Sequence, residues 1–349
     1  LFQGLKNLRM KNWAPLAVDP RSIGAVVLTH AHLDHSGYLP LLVKNGFSGK
    51  IVCTEATRDL CVVLLRDSGY LQERDAEYAN RYGFSKHKPA LPLYTQRDAD
   101  NALKRFAPIP FGQEHSLGDD LSLRFSPAGH ILGAAIAELS SGAAKIVFSG
   151  DLGRPNSATM VDPTPIRRAE YLVVESTYGN RKHDGSDPEE SLADIINETA
   201  ARGGSVLVPS FAVGRAQTIL FHLHRLKAAK RIPDLPIYLD SPMAIDASGI
   251  FCDHLGEHKL SEAECRGTCS VARYVQSVDE SKSLNANPLP KVIVSASGMA
   301  TGGASCTTSS GSRPIRATRS CSPGFRPRGR AEQRWSRVLP ASKYMVKRC

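Results

Sequence analysis

Three imidazoles and a carboxylate stand within six residues, His30-Ala31-His32-Leu33-Asp34-His35, directly after the apolar run Ala25-Val26-Val27-Leu28. A short apolar run of this kind reads as a buried strand, and the turn leaving it can aim several side chains at one point. An all-helical reading scatters the four groups around the helix axis, so the segment is placed in a strand-end loop. Neutral imidazoles joined by a carboxylate are the donor set that a borderline cation such as zinc takes. The bland alternative is a polar loop that is rich in histidine by chance.

The same pattern of an apolar run ending in a polar residue recurs along the chain. Ile146-Val147-Phe148 runs into Ser149-Gly150-Asp151, and Leu172-Val173-Val174 into Glu175. Val206-Leu207-Val208 leads to Pro209-Ser210, Ile237-Tyr238-Leu239 to Asp240-Ser241, and Val292-Ile293-Val294 to Ser295. Chemistry gathered at the carboxyl ends of buried strands is the habit of α/β sheets. Gly214 to Lys230 has helical character, with Ile219, Leu220, Leu223 and Leu226 on one face. Asp187-Pro188-Glu189-Glu190 reads as a helix start, with Asp at the cap and acids in the first turn. No internal repeat is present.

A chain of 349 residues with 42% hydrophobic content can build two packed domains. No apolar stretch approaches the ~20 residues needed to span a bilayer, so no membrane role is expected. Eight irregularly spaced cysteines form no disulfide framework, which places the chain in a reducing cytoplasm. It opens on Leu1-Phe2-Gln3-Gly4 and not on Met, which reads as a fragment or a processed product. The formal charge of +10 is local. From Ala304 to Cys349 there are 11 Lys and Arg against one acid, Glu332, and Leu1 to Gly303 balances at 33 of each sign. Bulk basicity therefore says nothing about nucleic acid, and that question rests on the site.

After Gly303 the periodicity disappears, Ser, Arg and Pro dominate, and no histidine occurs beyond His258. The bland reading is a disordered basic tail. A second reading is translation out of frame: codons can be chosen for Ala304-Ser305-Cys306-Thr307-Thr308 that, read one base earlier, give R-V-L-H-H. A DNA sequence of the locus without a one-base shift near Gly303 would refute it.

Two further segments join the first cluster: Ala128-Gly129-His130-Ile131-Leu132-Gly133 and Phe148-Ser149-Gly150-Asp151-Leu152-Gly153-Arg154. Together they resemble the sequential motifs of the metallo-β-lactamase fold. Val174-Glu175-Ser176-Thr177-Tyr178-Gly179-Asn180-Arg181 resembles the first motif specific to the β-CASP branch of that superfamily. So do the segments Pro209 to Gln217, Asp240 to Ala244 and Ser295 to Gly303. Members of this branch are RNA-processing nucleases, and the resemblance covers Leu1 to Gly303. It implies an α/β fold: a metallo-β-lactamase αββα sandwich with an inserted β-CASP α/β domain, the sandwich incomplete at the C-terminus. The expected domains are 1–182 (metallo-β-lactamase), 183–303 (partial β-CASP) and 304–349 (tail).

The resemblance also implies a site with two Zn2+ ions. His30, His32 and His130 hold the first, Asp34 and His35 contribute to the second, and Asp151 bridges both. A two-metal site of this kind makes a hydroxide for attack on phosphorus, which gives a ribonuclease acting on single-stranded RNA, endo or from a 5′ end. Asp34 orients that hydroxide, and Glu175 is the branch's acid near the leaving group. Ser210, Arg215, Ser297 and Gly298 are the candidates for substrate binding, because the Gly298 to Gly303 loop and the turn before the Gly214 helix can offer backbone N–H groups to a phosphate. The bland reading makes these turns simple connectors, Asp151 a turn cap and Glu175 a surface carboxylate.

Two departures matter. The family's first glycine-aspartate motif is missing from the start, and the two late histidines expected after Gly303 do not occur. The second zinc site is therefore expected to be short of ligands. A fragment that binds zinc or RNA without turnover is the alternative reading. A small-molecule metallo-hydrolase is disfavoured by the large segment from Glu175 to Gly303. The sequence leaves a homodimer open. His222 and His224, two apart on a helix, point to different sides. His254 and His258 lie near Cys252, Cys265 and Cys269, but the spacings fit no zinc-finger pattern. Lys86-His87-Lys88 and Arg181-Lys182-His183 are small basic clusters, either solvated or in contact with an RNA backbone.

Overall fold

The computed structural model describes residues 1–2, 8, 10–142, 144–180, 185–296 and 319–320. The chain divides into two compact units, Leu1–Gly179 with Gly256–Lys259, and Asn180–Leu255 with the chain from Leu260 onward.

The first unit holds two sheets. β1 (Ala25–Val27), β2 (Lys50–Cys53) and β3 (Phe106–Pro108) pair in parallel in that order. β4 (Glu114–Gly118), β5 (Leu121–Pro127), β6 (Ala135–Ser141) and β7 (Ala144–Phe148) form an antiparallel meander, and β8 (Tyr171–Val173) adds to β7 in parallel. Period-two alternation decides which side of β5 is apolar. Leu123 and Phe125 enter a core with Val52, Ala135 and Ala137, against which Val27, Leu139 and Phe148 pack. Side chains of both sheets thus meet in one core. Arg124 and Ser126 take the opposite face, where buried Glu138 accepts hydrogen bonds from Ser126 (2.9 Å) and Lys145 (2.7 Å).

The Glu55–Tyr82 helix buries Leu60, Cys61, Leu64 and Leu65 and packs along the Gln96–Leu103 helix. Each such leucine contributes about 1.5–3 kcal/mol by leaving water. The start of this helix matters to the site. Thr54 caps it, and the hydroxyls of Thr54 and Thr57 both donate to Gly133 O, at 2.7 and 2.9 Å. Those bonds pin the loop that carries His130.

β8 departs from the expected buried strand, since Tyr171, Leu172, Val173 and Val174 are all more than half exposed. The strand pairs only with β7, and among the described residues no strand lies on its other side. An apolar run has the same periodicity whether its edge is paired or bare.

The second unit is built on a parallel sheet. β9 (Val206–Ser210), β10 (Ile237–Asp240), β11 (Arg273–Val275), β12 (Val292–Ala296) and β13 (Arg319–Ser320) lie in the order β11-β10-β12-β9-β13. One face of it packs Val206, Val208, Ile237, Leu239, Val292 and Val294 against Leu220, Leu223 and Leu226. On the other face Leu207 and Ile293 meet Val275 and Leu284. Burial on both faces is why these strands read as unbroken apolar runs. The Pro188–Ala201 helix starts where expected, with the Asp187 carboxylate accepting from Glu189 N. The expected helix from Gly214 runs Arg215–Ala228. Of the expected tail from Ala304, only the Arg319–Ser320 backbone lies among the described residues. No described helix is long and apolar enough to cross a membrane.

Candidate metal centre

His30 stands three residues past the end of β1 and is fully buried. The expected loop is only half right, because Leu33–Ser36 forms a single helical turn with His32 at its N-cap. His30 and His32 therefore precede the helical turn, while Asp34 and His35 belong to it. That splits the motif into two donor pairs. Ser36, buried in the same turn, donates to Ala31 O at 2.7 Å and closes it.

Two remote loops complete the cluster. His130 lies between the strands β5 and β6, after Gly129, whose φ of +68° favours glycine, and beside Gly133 with its two threonine bonds. Asp151 follows β7 after Gly150, where φ is +55° and an added Cβ would stand 2.9 Å from Thr29 Cβ. The result is that one donor atom from each of His30, His32, His130 and Asp151 lies within 4.8 Å of the others.

The finer geometry divides Asp151 between two groups. Its Oδ2 is 3.7 Å from His30 Nε2 and 3.5 Å from His130 Nε2, while Oδ1 is 3.3 Å from His35 Nε2. Asp34 Oδ2 stands 3.6 Å from His35 Nε2 on the solvent side. His130 Nε2 and His32 Nδ1 are 3.2 Å apart. His30 Nδ1 is 3.2 Å from Thr29 Oγ1, but its Nε2 is buried with no hydrogen-bond partner among the described residues. A buried ring nitrogen without a partner is costly, and a cation at that point removes the cost.

The charge balance agrees. Burial, with neighbouring imidazoles, drives the His30 pKa far down and that of His32 to about 4, and burial also lowers His130. These three rings are therefore neutral near pH 7, the form that binds metal. The hydrogen bond between His35 and Asp151 raises the first and lowers the second. The donor set and the orphaned nitrogen both fit a zinc-type ion held by His30, His32, His130 and Asp151.

Glu175 lies just past β8. Its Oε1 accepts from Leu152 N (2.9 Å), its Oε2 from Thr177 N (3.2 Å), and its own N–H donates to Ser149 Oγ (3.1 Å). The carboxylate is thus bound to the residue next to Asp151. Ser210 and Arg215 belong to the second unit. Ser210 is buried and donates to Phe211 O, while Arg215 is exposed at the first turn of its helix. Ser297 and Gly298 lie outside the described residues, as do Arg181, Lys182 and His183. Lys86, His87 and Lys88 are exposed after the Glu55–Tyr82 helix. His222 pairs with Glu189 at 3.1 Å and not with His224 as a ligand pair. His258 forms a β-bridge with Met160 in the first unit. Thr29, which touches His30, carries no sequence signal beyond preceding the first motif, and Ser149, which touches Glu175, lies inside a motif whose pattern does not show that contact.

Comparison with known proteins places the chain in a family. The Metallo-beta-lactamase superfamily pattern matches residues 4–210 and the Beta-Casp domain pattern residues 216–308. The chain is 34% identical over 311 residues to Ribonuclease TTHA0252 of Thermus thermophilus, covering 87% of this chain and 67% of that protein. It is 31% identical over 312 residues to Transcription termination factor FttA of Methanosarcina mazei, covering 85% and 47%. An RNase J-like protein of Methanocaldococcus jannaschii is 30% identical over 292 residues, covering 82% and 63%. The chain thus spans about two thirds of the ribonuclease and less than half of the termination factor. With one pattern matching more than half of its length, the chain belongs to the metallo-β-lactamase superfamily and carries a Beta-Casp domain.

Proposed function

We propose that this chain is a zinc-dependent hydrolase that cleaves phosphodiester bonds of single-stranded RNA in the cytoplasm. The observation that carries the reading is the convergence of His30, His32, His130 and Asp151 around a His30 Nε2 with no protein partner. The ribonuclease and RNase J-like relatives support the substrate class.

In this reading His30, His32 and His130 present neutral ring nitrogens, and Asp151 turns Oδ2 to them and Oδ1 to His35. Bound there, zinc supplies Lewis acidity toward phosphoryl oxygens and lowers the pKa of water toward ~7. Asp34, half exposed beside His35, is placed to take a hydrogen bond from an attacking water and to fix its direction. Thr29 holds His30 in one ring orientation, as outer contacts of metal-binding histidines do. Glu175 ties Leu152 to the turn at Thr177 and so fixes the backbone that leaves Asp151. Among the described residues, Asp34 and His35 with Asp151 offer fewer donors than the first group. The first position therefore holds its ion more tightly than the second.

The test is zinc content and cleavage of an end-labelled single-stranded RNA by the purified chain. Cleavage that is lost with a chelator and in both His30→Ala and His130→Ala is expected. A folded, zinc-loaded chain that leaves the RNA intact overturns the proposal.

A further inference from the structure

The second unit contains a cluster of three thiols that the centre above does not use. Cys252 lies in the last turn of the Pro242–Asp253 helix, while Cys265 and Cys269 stand four apart on the Glu262–Ser270 helix. That spacing puts the last two on one helix face. Cys252 Sγ is 2.7 Å from Cys269 Sγ and 2.8 Å from Cys265 Sγ. Both separations fall inside the ~3.5–4.0 Å at which uncharged heavy atoms rest against each other. Cys252 Sγ is therefore closer to each of the other two sulfurs than packing alone favours.

We propose that Cys252, Cys265 and Cys269 form a thiolate site for a soft divalent cation, zinc by preference, separate from the histidine centre. A disulfide would use two of the sulfurs and leave the third pressed against the bond, whereas one cation takes all three. Thiolate donors select zinc or other soft ions over magnesium or calcium. With Zn–S bonds of about 2.3 Å the sulfurs move apart and their crowding is relieved. Cys265 is buried, but Cys252 and Cys269 are partly exposed, so an ion can enter from the solvent side and keep water in its fourth position. The ion clamps the end of one helix to the face of the next, and the site is structural. Tyr274, whose hydroxyl donates to Cys269 O at 2.8 Å, fixes the end of the second helix.

The test uses the full chain with Cys306→Ser, Cys321→Ser and Cys349→Ser, so that the thiols outside the described residues are silent. After chelation it is titrated with Cd2+ while the thiolate-to-metal charge-transfer absorbance is followed, a band that imidazole and carboxylate ligands do not give. Saturation at one Cd2+ per chain is expected, unchanged by His30→Ala and lost in Cys265→Ser/Cys269→Ser. No band in the parent chain, or a full band in the double variant, overturns the proposal. Alkylation of the native chain by iodoacetamide, read by peptide mass spectrometry, guards against a misfolded variant. Zn2+ should slow modification of Cys252, Cys265 and Cys269 by roughly tenfold or more, reversibly with chelator. Equal rates with and without Zn2+, or a disulfide among the three in the reduced preparation, overturn it as well.

Discussion

Replacing His30 by leucine should make the metal-free protein more stable while it removes the response to zinc. The His30 ring is fully buried, and its Nε2 meets no hydrogen-bond partner among the described residues. An unsatisfied buried polar atom costs about 1–3 kcal/mol. Leucine fills a similar volume without that atom, so the repacking cost stays below about 1.5 kcal/mol. The loss of the contact with Thr29 Oγ1 offsets part of the gain. The net expectation in chelator is a gain of about 1 kcal/mol, or roughly 2–4 °C in the unfolding temperature of a unit of this size. Zinc at about 100 times its Kd should stabilise the native chain by about 2.7 kcal/mol and the variant by far less. The two proteins should therefore exchange rank: variant above native in chelator, native above variant in zinc. Thermal unfolding followed by circular dichroism, with zinc and with chelator, reads both halves. A His30→Leu protein that is less stable in chelator, or that gains as much from zinc as the native chain, refutes the reasoning.

Thr29→Val removes the oxygen beside His30 Nδ1 and should weaken zinc binding by about 10-fold to 100-fold with little change in fold, measured by competition with a chromophoric chelator. Glu138 is buried, which alone raises its pKa, but the Lys145 ammonium and Ser126 hydroxyl hold it below the usual carboxylate value. A depressed folded pKa gives stability above the unfolded value that is lost as pH falls through the folded one, so Glu138→Gln should be destabilising near pH 7 and its deficit should shrink below about pH 4. Urea unfolding at both pH values checks this, and a deficit that does not change with pH contradicts it. Leu223→Ala opens a hole in the fully buried core of the second unit and should cost about 2–5 kcal/mol in its urea unfolding, without changing zinc uptake by the first.

Much of the centre was legible because its first part is contiguous. Six residues after an apolar run carry His30, His32, Asp34 and His35, and local spacing alone marks them as candidate donors. The helical turn Leu33–Ser36 was not legible, since four residues are too few to show a period. β8 was read as a strand but not as an exposed one, because what lies beside an edge is a tertiary matter. That Ser210 is buried with its hydroxyl bonded to Phe211 O was not legible either, since a serine after an apolar run has the same sequence whether covered or open. The three thiols fit no sequence pattern, and only the packing of one helix end on another helix brings them together.

The sequence by itself determined the candidate donors, the apolar strands that lead to them, and the family they belong to. Only the tertiary structure decided how those donors face one another. His32 and His130 are 98 residues apart in the chain and 3.2 Å apart in space, a distance set by sheet packing and by the Thr54 and Thr57 bonds to Gly133. The division of Asp151 between two groups of histidines, and the isolation of His30 Nε2, depend likewise on burial between elements remote in sequence. Periodicity records which face a residue takes on its own element; which remote residue it meets there is settled when the elements pack.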